Sequence, residues 1–400
     1  MLLKAKSIFM AGIGGSGMRG LGFILKSKGK NITGADRDYD RARAEEYLAQ
    51  SDGLIYSDAV ATDHPLRQRA REQNIPEMAY HEALGELAVG YTTVAVAGTH
   101  GKSSTTAMLG HIMIEAGLDP TVLVGARVPA WGKENARVGN SEYLIVEADE
   151  YRDHFLSLKP AYAIVTTIDF DHPDYFDSLD DVKKSFDKFV NRVSGAVVTS
   201  NDVPGEFGVG EHMQHNAALA VAMAEKFGVE RGRAEKALAS WQGLGRRMEE
   251  LGDYKGLKVV SDYGHHPKEI ATTLAAARKK YKDKKILVLF EAHTLVRLKV
   301  FEKDFIEALL KADGVLLAPV FIPTGRPTSS AGKEQETQQA VKKLGEFEQK
   351  LSVKGRLARR ILNYSELAAE LAQMEGQYDV ALAFTAGELD GRLRELVEHF

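Results

Sequence analysis

Nine short apolar runs recur along the chain, and segments with helical periodicity separate them. This alternation predicts parallel α/β sheets, because a parallel strand needs a crossover, usually a helix, before the next strand can pair. Nine strands are too many for one compact sheet of this kind, so we expect successive domains. The runs are SIFMAGI, TVAVAG, EYLIVEA, AYAIVTTI, GAVVTS, LKVVSDY, KILVLFEA, DGVLLAPVF and DVALAFTA.

Two boundaries divide these runs into three domains. The first follows the helical segment YHEALGELAVG, and the second lies in SWQGLGRRMEELG, where two glycines before paired arginines predict a hinge. We expect an α/β protein with an N-terminal Rossmann-like domain at 1–90, a central P-loop ATPase-like parallel sheet at 91–242 and a C-terminal Rossmann-like domain at 243–400. The polar segment GKEQETQQAVKKLGEFEQK predicts an exposed helix.

Composition narrows the classes of function. Lys plus Arg number 52 against 56 Asp plus Glu, so a net charge of −4 gives no reason to expect nucleic acid or a membrane as partner. The absence of cysteine excludes disulfides, thiolate metal sites and thiol nucleophiles. No apolar run approaches the roughly 18 residues of a membrane span. We expect a cytoplasmic protein that is a monomer or a weak homodimer.

The first glycine loop lies in SIFMAGIGGSGMRG, between a predicted strand and a predicted helix. Gly12, Gly14 and Gly17 match GxGxxG, in which glycines let backbone amides approach a diphosphate at a helix N-terminus. Asp36 ends the next strand, at the distance where an acidic residue meets a ribose. A domain of about ninety residues holds half of a dinucleotide fold. A nucleotide diphosphate therefore fits better than NAD, although a tight turn without a ligand has the same pattern.

The second glycine loop, GTHGKSS, comprises Gly98, Thr99, His100, Gly101, Lys102, Ser103 and Ser104. Val96 stands where a strict GxxxxGK[ST] motif has its first glycine. The shorter GxxGKS form still directs amides at phosphates, brings the lysine to the β and γ groups and offers a serine hydroxyl to Mg²⁺. This loop therefore predicts an ATP site.

Acidic residues follow two predicted strands of the same domain. EYLIVEADE ends in Glu147, Asp149 and Glu150, and AYAIVTTIDFDH ends in an aspartate pair and His172. The carboxyl ends of parallel strands meet at one edge of a sheet, where these groups suit a Mg²⁺ site. Acidic surface loops without a metal are the alternative.

Six motifs occur here in the order found in the Mur ligases, and the chain resembles that family across all three domains, most densely from Ser7 to Glu269. It is most similar to the branch that joins L-alanine to the carboxylate of UDP-N-acetylmuramate, because GIGGSGM and DYGHHP are typical of that branch. The six motifs are GxxGKS, EADE, DFDHPDYF, HN at 215–216, GRRME at 245–249 and DYGHHPKEI at 262–270.

The resemblance implies an ATP-dependent, Mg²⁺-dependent ligase of peptidoglycan precursor synthesis that forms an acyl phosphate and closes its domains over the substrates. It also implies roles for individual residues. The residues implied to bind the UDP-sugar are Gly12, Gly14, Gly15, Gly17, Asp36 and Ser57. Those implied to bind ATP are the loop residues 98–104 together with His215, Asn216, Arg247 and Asp262. Mg²⁺ would be bound by Ser103, Glu147 and His172, and the amino acid by Tyr263, His293 and Arg297. The implied catalytic residues are Lys102, His172, Arg247, His265 and His266.

The proton acceptor for the incoming amine stays open. His265 and His266 are candidates because imidazole titrates near pH 6.5. A histidine pair before a proline is equally typical of a helix N-terminus.

The chain departs from the family in three places. VPGEFGVGEH, at 203–212, is much shorter than the family's central segment. FEAHTLVR, at 290–297, has Glu291 and Ala292 where the family has glutamine and proline. FIPTGRPTSSAGKE and FTAGELDG follow the C-terminal pattern only loosely.

Three alternatives remain. A recycling ligase that attaches a murein tripeptide to the same UDP-sugar also has a glutamate after the phenylalanine. An NAD-dependent oxidoreductase would leave Lys102, Glu147 and His172 unexplained. A non-catalytic regulator would explain the short segment and the altered acceptor loop, but not the retained phosphate and metal positions.

Overall fold

A computed structural model gives the protein three sheets in chain order. It describes residues 4–37, 39–132, 134–200, 203, 213–322 and 330–400, without the side chains of 330–333. The shortened central segment at 203–212 therefore lies outside the described residues except for Val203, and so do residues 323–329 of FIPTGRPTSSAGKE.

The first sheet has four parallel strands in the order β2-β1-β3-β4. β1 is buried from Ile8 to Ala11 and pairs on both sides, which explains its unbroken apolar run. Apolar runs did not predict the short strands β3 and β4. The strands are β1 (Ser7–Ala11), β2 (Asn31–Ala35), β3 (Gly53–Tyr56) and β4 (Glu77–Ala79), and the helices are α1 (Ser16–Ser27), α2 (Arg41–Ala49), α3 (Pro65–Glu72) and α4 (Tyr80–Ala88).

The second sheet has the order β10-β9-β5-β8-β6-β7, with β7 antiparallel at one edge. β5 lies between β8 and β9, so the loop after β5 leaves the sheet beside the ends of both neighbours. The strands are β5 (Thr92–Ala97), β6 (Thr121–Leu123), β7 (Ala136–Arg137), β8 (Tyr143–Glu147), β9 (Tyr162–Val165) and β10 (Val197–Thr199). The helices are α5 (Lys102–Glu115), α6 (Leu179–Val190), α7 (Gln214–Glu225) and α8 (Arg231–Ala239), with 3-10 segments at Pro129–Trp131 and Tyr151–Ser157.

The third sheet has the order β11-β12-β16-β13-β14-β15, with β11 antiparallel to β12. The predicted polar helix lies within α12. The strands are β11 (Glu249–Tyr254), β12 (Leu257–Asp262), β13 (Ile286–Phe290), β14 (Gly314–Leu317), β15 (Leu357–Arg360) and β16 (Val380–Phe384). The helices are α9 (Pro267–Lys280), α10 (Leu295–Val300), α11 (Glu302–Leu309), α12 (Ser330–Val353), α13 (Leu367–Gln373) and α14 (Leu389–Glu398), with a 3-10 turn at Tyr364–Glu366.

These sheets belong to two compact units. The first unit extends to Leu244 without residues 172–174, and the second comprises those three residues and Gly245–Phe400. The first two predicted domains therefore share one unit, and the boundary predicted after residue 242 lies two residues from the observed change at 244. Within the part of the chain that is described, no helix is long and apolar enough to cross a membrane. The α/β fold with three successive sheets confirms the predicted fold class.

Candidate functional site

The first glycine loop connects β1 to α1 and packs closely against its surroundings. Gly12 has φ +81°, and a Cβ there would lie 2.9 Å from the Cβ of Ser57. A Cβ at Gly17 would lie 2.7 Å from the ring of Tyr80. Glycine is required at both positions because a larger residue would displace the neighbouring side chain.

Asp36 closes this loop from the end of β2. Its Oδ2 accepts the backbone N–H of Gly14 at 2.6 Å, and its Oδ1 accepts the N–H of Arg37 at 2.9 Å. Gly15 is the N-cap of α1, and its N–H donates to the carbonyl of Gly12 at 3.2 Å. The structure thus brings the predicted sugar-nucleotide residues together, while their contact with a diphosphate and a ribose stays a prediction.

The second glycine loop connects β5 to α5. Val96 is fully buried inside β5, so the loop begins later than in the strict motif and turns at Gly98. Gly101 is the N-cap of α5 with φ +84°, and a Cβ there would lie 2.3 Å from Oδ1 of Asn216. A side chain at Gly101 would meet both a strained backbone and a clash.

Lys102 is the charged group at the centre of this loop. Its ammonium donates to the carbonyl of Gly98 at 2.6 Å and to Oε2 of Glu150 at 2.8 Å. Glu150 is 2 % exposed. Burial alone would lower the pKa of Lys102, but the carboxylates of Glu150, Asp149 and Glu147 together raise it. The lysine is therefore held as a cation.

Glu150 is the partner that our sequence reasoning did not assign. The signal that could have found it is the motif EADE, whose first glutamate, Glu147, ends β8 and whose second, Glu150, follows three residues later. β8 pairs with β5, so register alone brings these carboxylates beside the loop. Oε2 of Glu147 accepts the N–H of Gly125 at 2.7 Å, which fixes this carboxylate at the edge of the sheet.

The segment after β9 holds the second glycine loop from its other side. Oγ1 of Thr99 accepts the N–H of Asp169 at 2.9 Å, and the N–H of His100 donates to Oγ1 of Thr167 at 3.0 Å. The hydroxyl of Thr166 donates to the carbonyl of His100 at 2.5 Å. Two neighbouring strands, β8 and β9, therefore fix the loop of β5 between them.

The predicted HN pair opens α7 beside the same loop. Asn216 packs on Gly101, and Nε2 of His215 lies 3.3 Å from the carbonyl oxygen of Thr166 and 3.3 Å from Oγ of Ser200. Contact of these two side chains with adenine stays a prediction.

His172 has φ +53° and belongs to the second unit. The predicted magnesium ligands Ser103 and Glu147 belong to the first unit. The participation of His172 in a metal site with them therefore stays a prediction.

In the second unit, the arginine pair lies around Tyr263. The guanidinium carbons of Arg246 and Arg247 lie 4.8 and 5.5 Å from the centre of its ring, a cation–π arrangement. Arg246 also donates to the carbonyl of Thr385 at 2.6 Å. Asp262 accepts the N–H of Met248 at 2.9 Å, and its burial raises the pKa of its carboxyl group, although Arg247 opposes this effect.

The two candidate proton acceptors differ in their surroundings. His266 is 3 % exposed, is the N-cap of α9 and accepts the N–H of Lys268 on Nδ1 at 3.3 Å. His266 therefore has the helix N-terminal role that the sequence offered as the alternative to a proton acceptor. His265 is half-buried, and its ring centre lies 5.3 Å from that of His293. The geometry therefore favours His265 as the proton acceptor, which stays a prediction.

The predicted amino-acid residues form one cluster with His265. Nδ1 of His293 lies 2.7 Å from Nη1 of Arg297, which is 3 % exposed, and the ring of Phe321 stacks on the His293 imidazole at 5.5 Å. The ring centre of Tyr263 lies 5.4 Å from that of His265. The sequence places these residues thirty positions apart, but β12 and β13 bring them to one edge of the sheet.

Glu291 follows β13 but has a role away from this cluster. It is 1 % exposed and accepts hydrogen bonds from the hydroxyls of Tyr364 and Thr385 and from the backbone amides of Gly387, Glu388 and Leu389. These amides open α14, where a carboxylate is stabilised by the helix terminus. The departure from the family's glutamine therefore anchors the loop FTAGELDG.

Comparisons with known proteins agree with this layout. Family models match at residues 7–92 (Mur ligase family, catalytic domain), 96–236 (Mur ligase middle domain) and 246–387 (Mur ligase, glutamate ligase domain). The UDP-N-acetylmuramate–L-alanine ligase of Solidesulfovibrio magneticus is 33% identical, and the alignment covers 83% of this chain and 86% of that protein.

Two solved structures share the fold. They are the UDP-N-acetylmuramate-alanine ligase of Thermotoga maritima, with TM-score 0.76 and 22% identity, and a murein peptide ligase of Psychrobacter arcticus, with TM-score 0.72 and 20% identity. Each likeness covers 98% of both chains. With three matched domains and a relative one third identical over most of its length, the chain belongs to the Mur ligase family.

Proposed function

We propose that the protein joins L-alanine to the carboxylate of UDP-N-acetylmuramate, with ATP as the energy source, in peptidoglycan precursor synthesis. The observation that carries the proposal is the position of Lys102, which starts α5 and is held by the carbonyl of Gly98 and the buried Glu150. A relative named for this activity is 33% identical to the chain. A cytoplasmic location and a monomeric or weakly dimeric state stay predictions from the sequence.

The first chemical step activates the sugar carboxylate. A carboxylate oxygen of the sugar attacks the γ-phosphorus of ATP, and the bond from that phosphorus to the β-phosphate oxygen breaks. ADP departs, and the product on the sugar is an acyl phosphate. Negative charge spreads over the transferred phosphoryl group, and the Lys102 ammonium with the amides of the glycine loop offsets it. When ATP binds, the Lys102 ammonium would donate to the phosphates instead of to Glu150. The Glu150 carboxylate would then lie beside the ammonium without touching ATP.

In the second step the amine of L-alanine attacks the acyl carbon, and phosphate leaves the tetrahedral intermediate. The amino acid carboxylate is bound by Arg297, whose guanidinium lies against His293. The α-ammonium group of L-alanine must first lose a proton to a base, because only the neutral amine has the lone pair that attacks the acyl carbon. We assign this role to His265, because His266 caps α9.

The donor set at the ATP loop suits Mg²⁺. Ser103, the second residue of α5, is buried, and Glu147 ends the neighbouring strand. Hydroxyl and carboxylate oxygens are the ligands that Mg²⁺ prefers. When bound, the ion would neutralise phosphate charge; Ser103 and Glu147 are its proposed ligands within the first unit.

An acceptor panel tests the proposal. Phosphate release from ATP is measured with the purified protein, Mg²⁺ and UDP-N-acetylmuramate, with L-alanine, the tripeptide L-Ala-γ-D-Glu-diaminopimelate or no acceptor added. We expect phosphate release when L-alanine is the added acceptor, and none with the tripeptide or without an acceptor. Release with the tripeptide alone would make the protein the recycling ligase, and no release under any condition would make it a regulator. A change in nicotinamide absorbance would instead indicate the oxidoreductase.

Glu291 does not discriminate between the two ligases. Both oxygens of its carboxylate accept hydrogen bonds from Tyr364, Thr385 and the start of α14. These bonds give the glutamate a structural role, so its presence does not favour a tripeptide over L-alanine. L-Alanine remains the proposed acceptor because of the relatives that carry that name.

A further inference from the structure

Asp58, His81 and His154 come together in the first unit, and none of the three is assigned to ATP or Mg²⁺. Their potential ligand atoms all lie within 4.8 Å of one another. Oδ2 of Asp58 is 3.2 Å from Nε2 of His154, and the two imidazole rings stack with centres 4.3 Å apart. We propose that these three side chains bind a divalent transition-metal ion of the zinc class.

Three different elements supply the ligands. Asp58 follows β3, His81 is the second residue of α4, and His154 lies in the 3-10 segment Tyr151–Ser157. Two of these elements also support the first glycine loop, because Ser57 after β3 packs on Gly12 and Tyr80 of α4 packs on Gly17. The cluster therefore lies beside the first sheet and uses none of the ATP-loop residues.

His81 is oriented by a partner typical of metal-bound histidines. Its Nδ1 lies 2.8 Å from Oγ of Ser157, so Nε2 is the nitrogen left to bind a metal. When Nδ1–H donates to that hydroxyl, the lone pair is on Nε2. Ligating histidines commonly donate their second ring N–H in this way, which fixes the tautomer and the orientation of the ring.

The backbone that carries His154 is strained. Arg152 and Asp153, immediately before it, have φ values of +52° and +59°. Left-handed conformations of residues other than glycine cost free energy and persist where the surroundings enforce them. The carboxylate of Asp153 accepts a hydrogen bond from Ser185, which holds this turn in place. His154 follows this turn directly, and its Nε2 lies 3.2 Å from Oδ2 of Asp58.

The ligand chemistry selects the metal. Two imidazoles and one carboxylate suit Zn²⁺, Co²⁺ or Ni²⁺, whereas Mg²⁺ prefers oxygen ligands. Zn–N and Zn–O bonds of about 2.0–2.1 Å place tetrahedral ligand atoms roughly 3.3 Å apart. Closing the cluster thus requires movements of about 1 Å and some splaying of the stacked rings. Water would complete the coordination.

Metal titration of the full chain tests the site without any ligase substrate. Chelator-treated protein is titrated with Zn²⁺ by calorimetry and with Co²⁺ by visible absorbance, in millimolar Mg²⁺. We expect one equivalent of each ion and a tetrahedral Co²⁺ spectrum. His81→Gln and His154→Gln should each weaken binding at least tenfold, and Ser157→Ala about tenfold through the lost orientation of His81.

His399→Gln is the matched control, because His399 is exposed in the other unit and should leave the titration unchanged. Circular dichroism confirms that each variant is folded. Zn²⁺ binding that is equal in the wild type and in the His81→Gln, His154→Gln double variant would overturn the proposal. This result is independent of the acceptor panel, since no nucleotide is present.

Discussion

In the first glycine loop, the amide of Gly14 donates to the carboxylate of Asp36, and no lysine follows the glycines. In the second loop, Lys102 follows the glycines, and the nearest charges are carboxylates from a neighbouring strand. Both loops join a parallel strand to a helix N-terminus, which suits phosphate. The difference is that the second loop adds a held cation beside a hydroxyl and carboxylates, so we propose that it serves phosphoryl transfer and that the first serves binding.

The sharpest test of this difference is Lys102→Met. If the lysine offsets charge on the transferred phosphoryl group, kcat for phosphate release should fall by about 10² to 10³. The KM for UDP-N-acetylmuramate should change little, since the first loop is untouched. Steady-state kinetics with each substrate varied in turn measures both effects.

This variant also breaks an ion pair whose carboxylate is 2 % exposed. Loss of the Lys102 cation from beside the buried Glu150 carboxylate should cost roughly 3–5 kcal/mol of unfolding free energy. The double variant Lys102→Met, Glu150→Gln should recover much of that stability in denaturant unfolding but none of the activity. Recovery of activity as well would mean that Lys102 has a structural role only.

The next largest effect should come from Gly101→Ala. Alanine at this position would have to adopt a left-handed backbone conformation, which costs about 1–2 kcal/mol, and its Cβ would clash with Asn216. We expect a fall in kcat/KM for ATP of about tenfold or more, because the loop amides move. Gly117→Ala is the matched control at the other end of α5, with φ +77° and open space around it. It should lower the thermal unfolding temperature without changing the ATP kinetics; equal kinetics for the two variants would contradict the role of the loop.

Local patterns in the sequence were sufficient for much of this comparison. Both glycine loops, the strands that precede them and the helices that follow lie where the apolar runs and glycines predicted, because these features are local. The strands β3, β4, β6, β7, β11 and β15 were missed, since each is either very short or carries few apolar residues.

Partners from distant strands were harder to predict. Glu150 binds Lys102 only because β8 pairs with β5, and Glu291 turns to the start of α14 because β13 and β16 are neighbours. His266 caps a helix while His265 faces His293, a division that two adjacent histidines cannot reveal. Pairing order, which sets these contacts, depends on long-range packing.

Asp36→Ala should show the opposite kinetic pattern to Lys102→Met. Loss of the carboxylate frees the amide of Gly14 and loosens the first loop. A hydrogen bond to a charged group is worth about 1.5–3 kcal/mol, so the KM for UDP-N-acetylmuramate should rise about tenfold or more while kcat stays within a factor of about two. Asp52→Ala is the control, because Asp52 also accepts two backbone amides, at 2.7 and 2.9 Å, but lies at the other end of β1. A fall in kcat with Asp36→Ala would show that the two loops are not separate in function.

The smallest effect is expected at Gly15. It has φ −60°, which alanine adopts without strain, and a Cβ there would lie no closer than 3.5 Å to any other atom. Gly15→Ala should therefore change the KM for the UDP-sugar less than about twofold and the unfolding free energy by about 0.5 kcal/mol. Gly14→Ala would instead place a Cβ 2.6 Å from Oδ2 of Asp36 and should raise that KM as Asp36→Ala does. If both glycine variants raise KM equally, the diphosphate itself approaches the loop so closely that any side chain is excluded, and Asp36 is not what closes it.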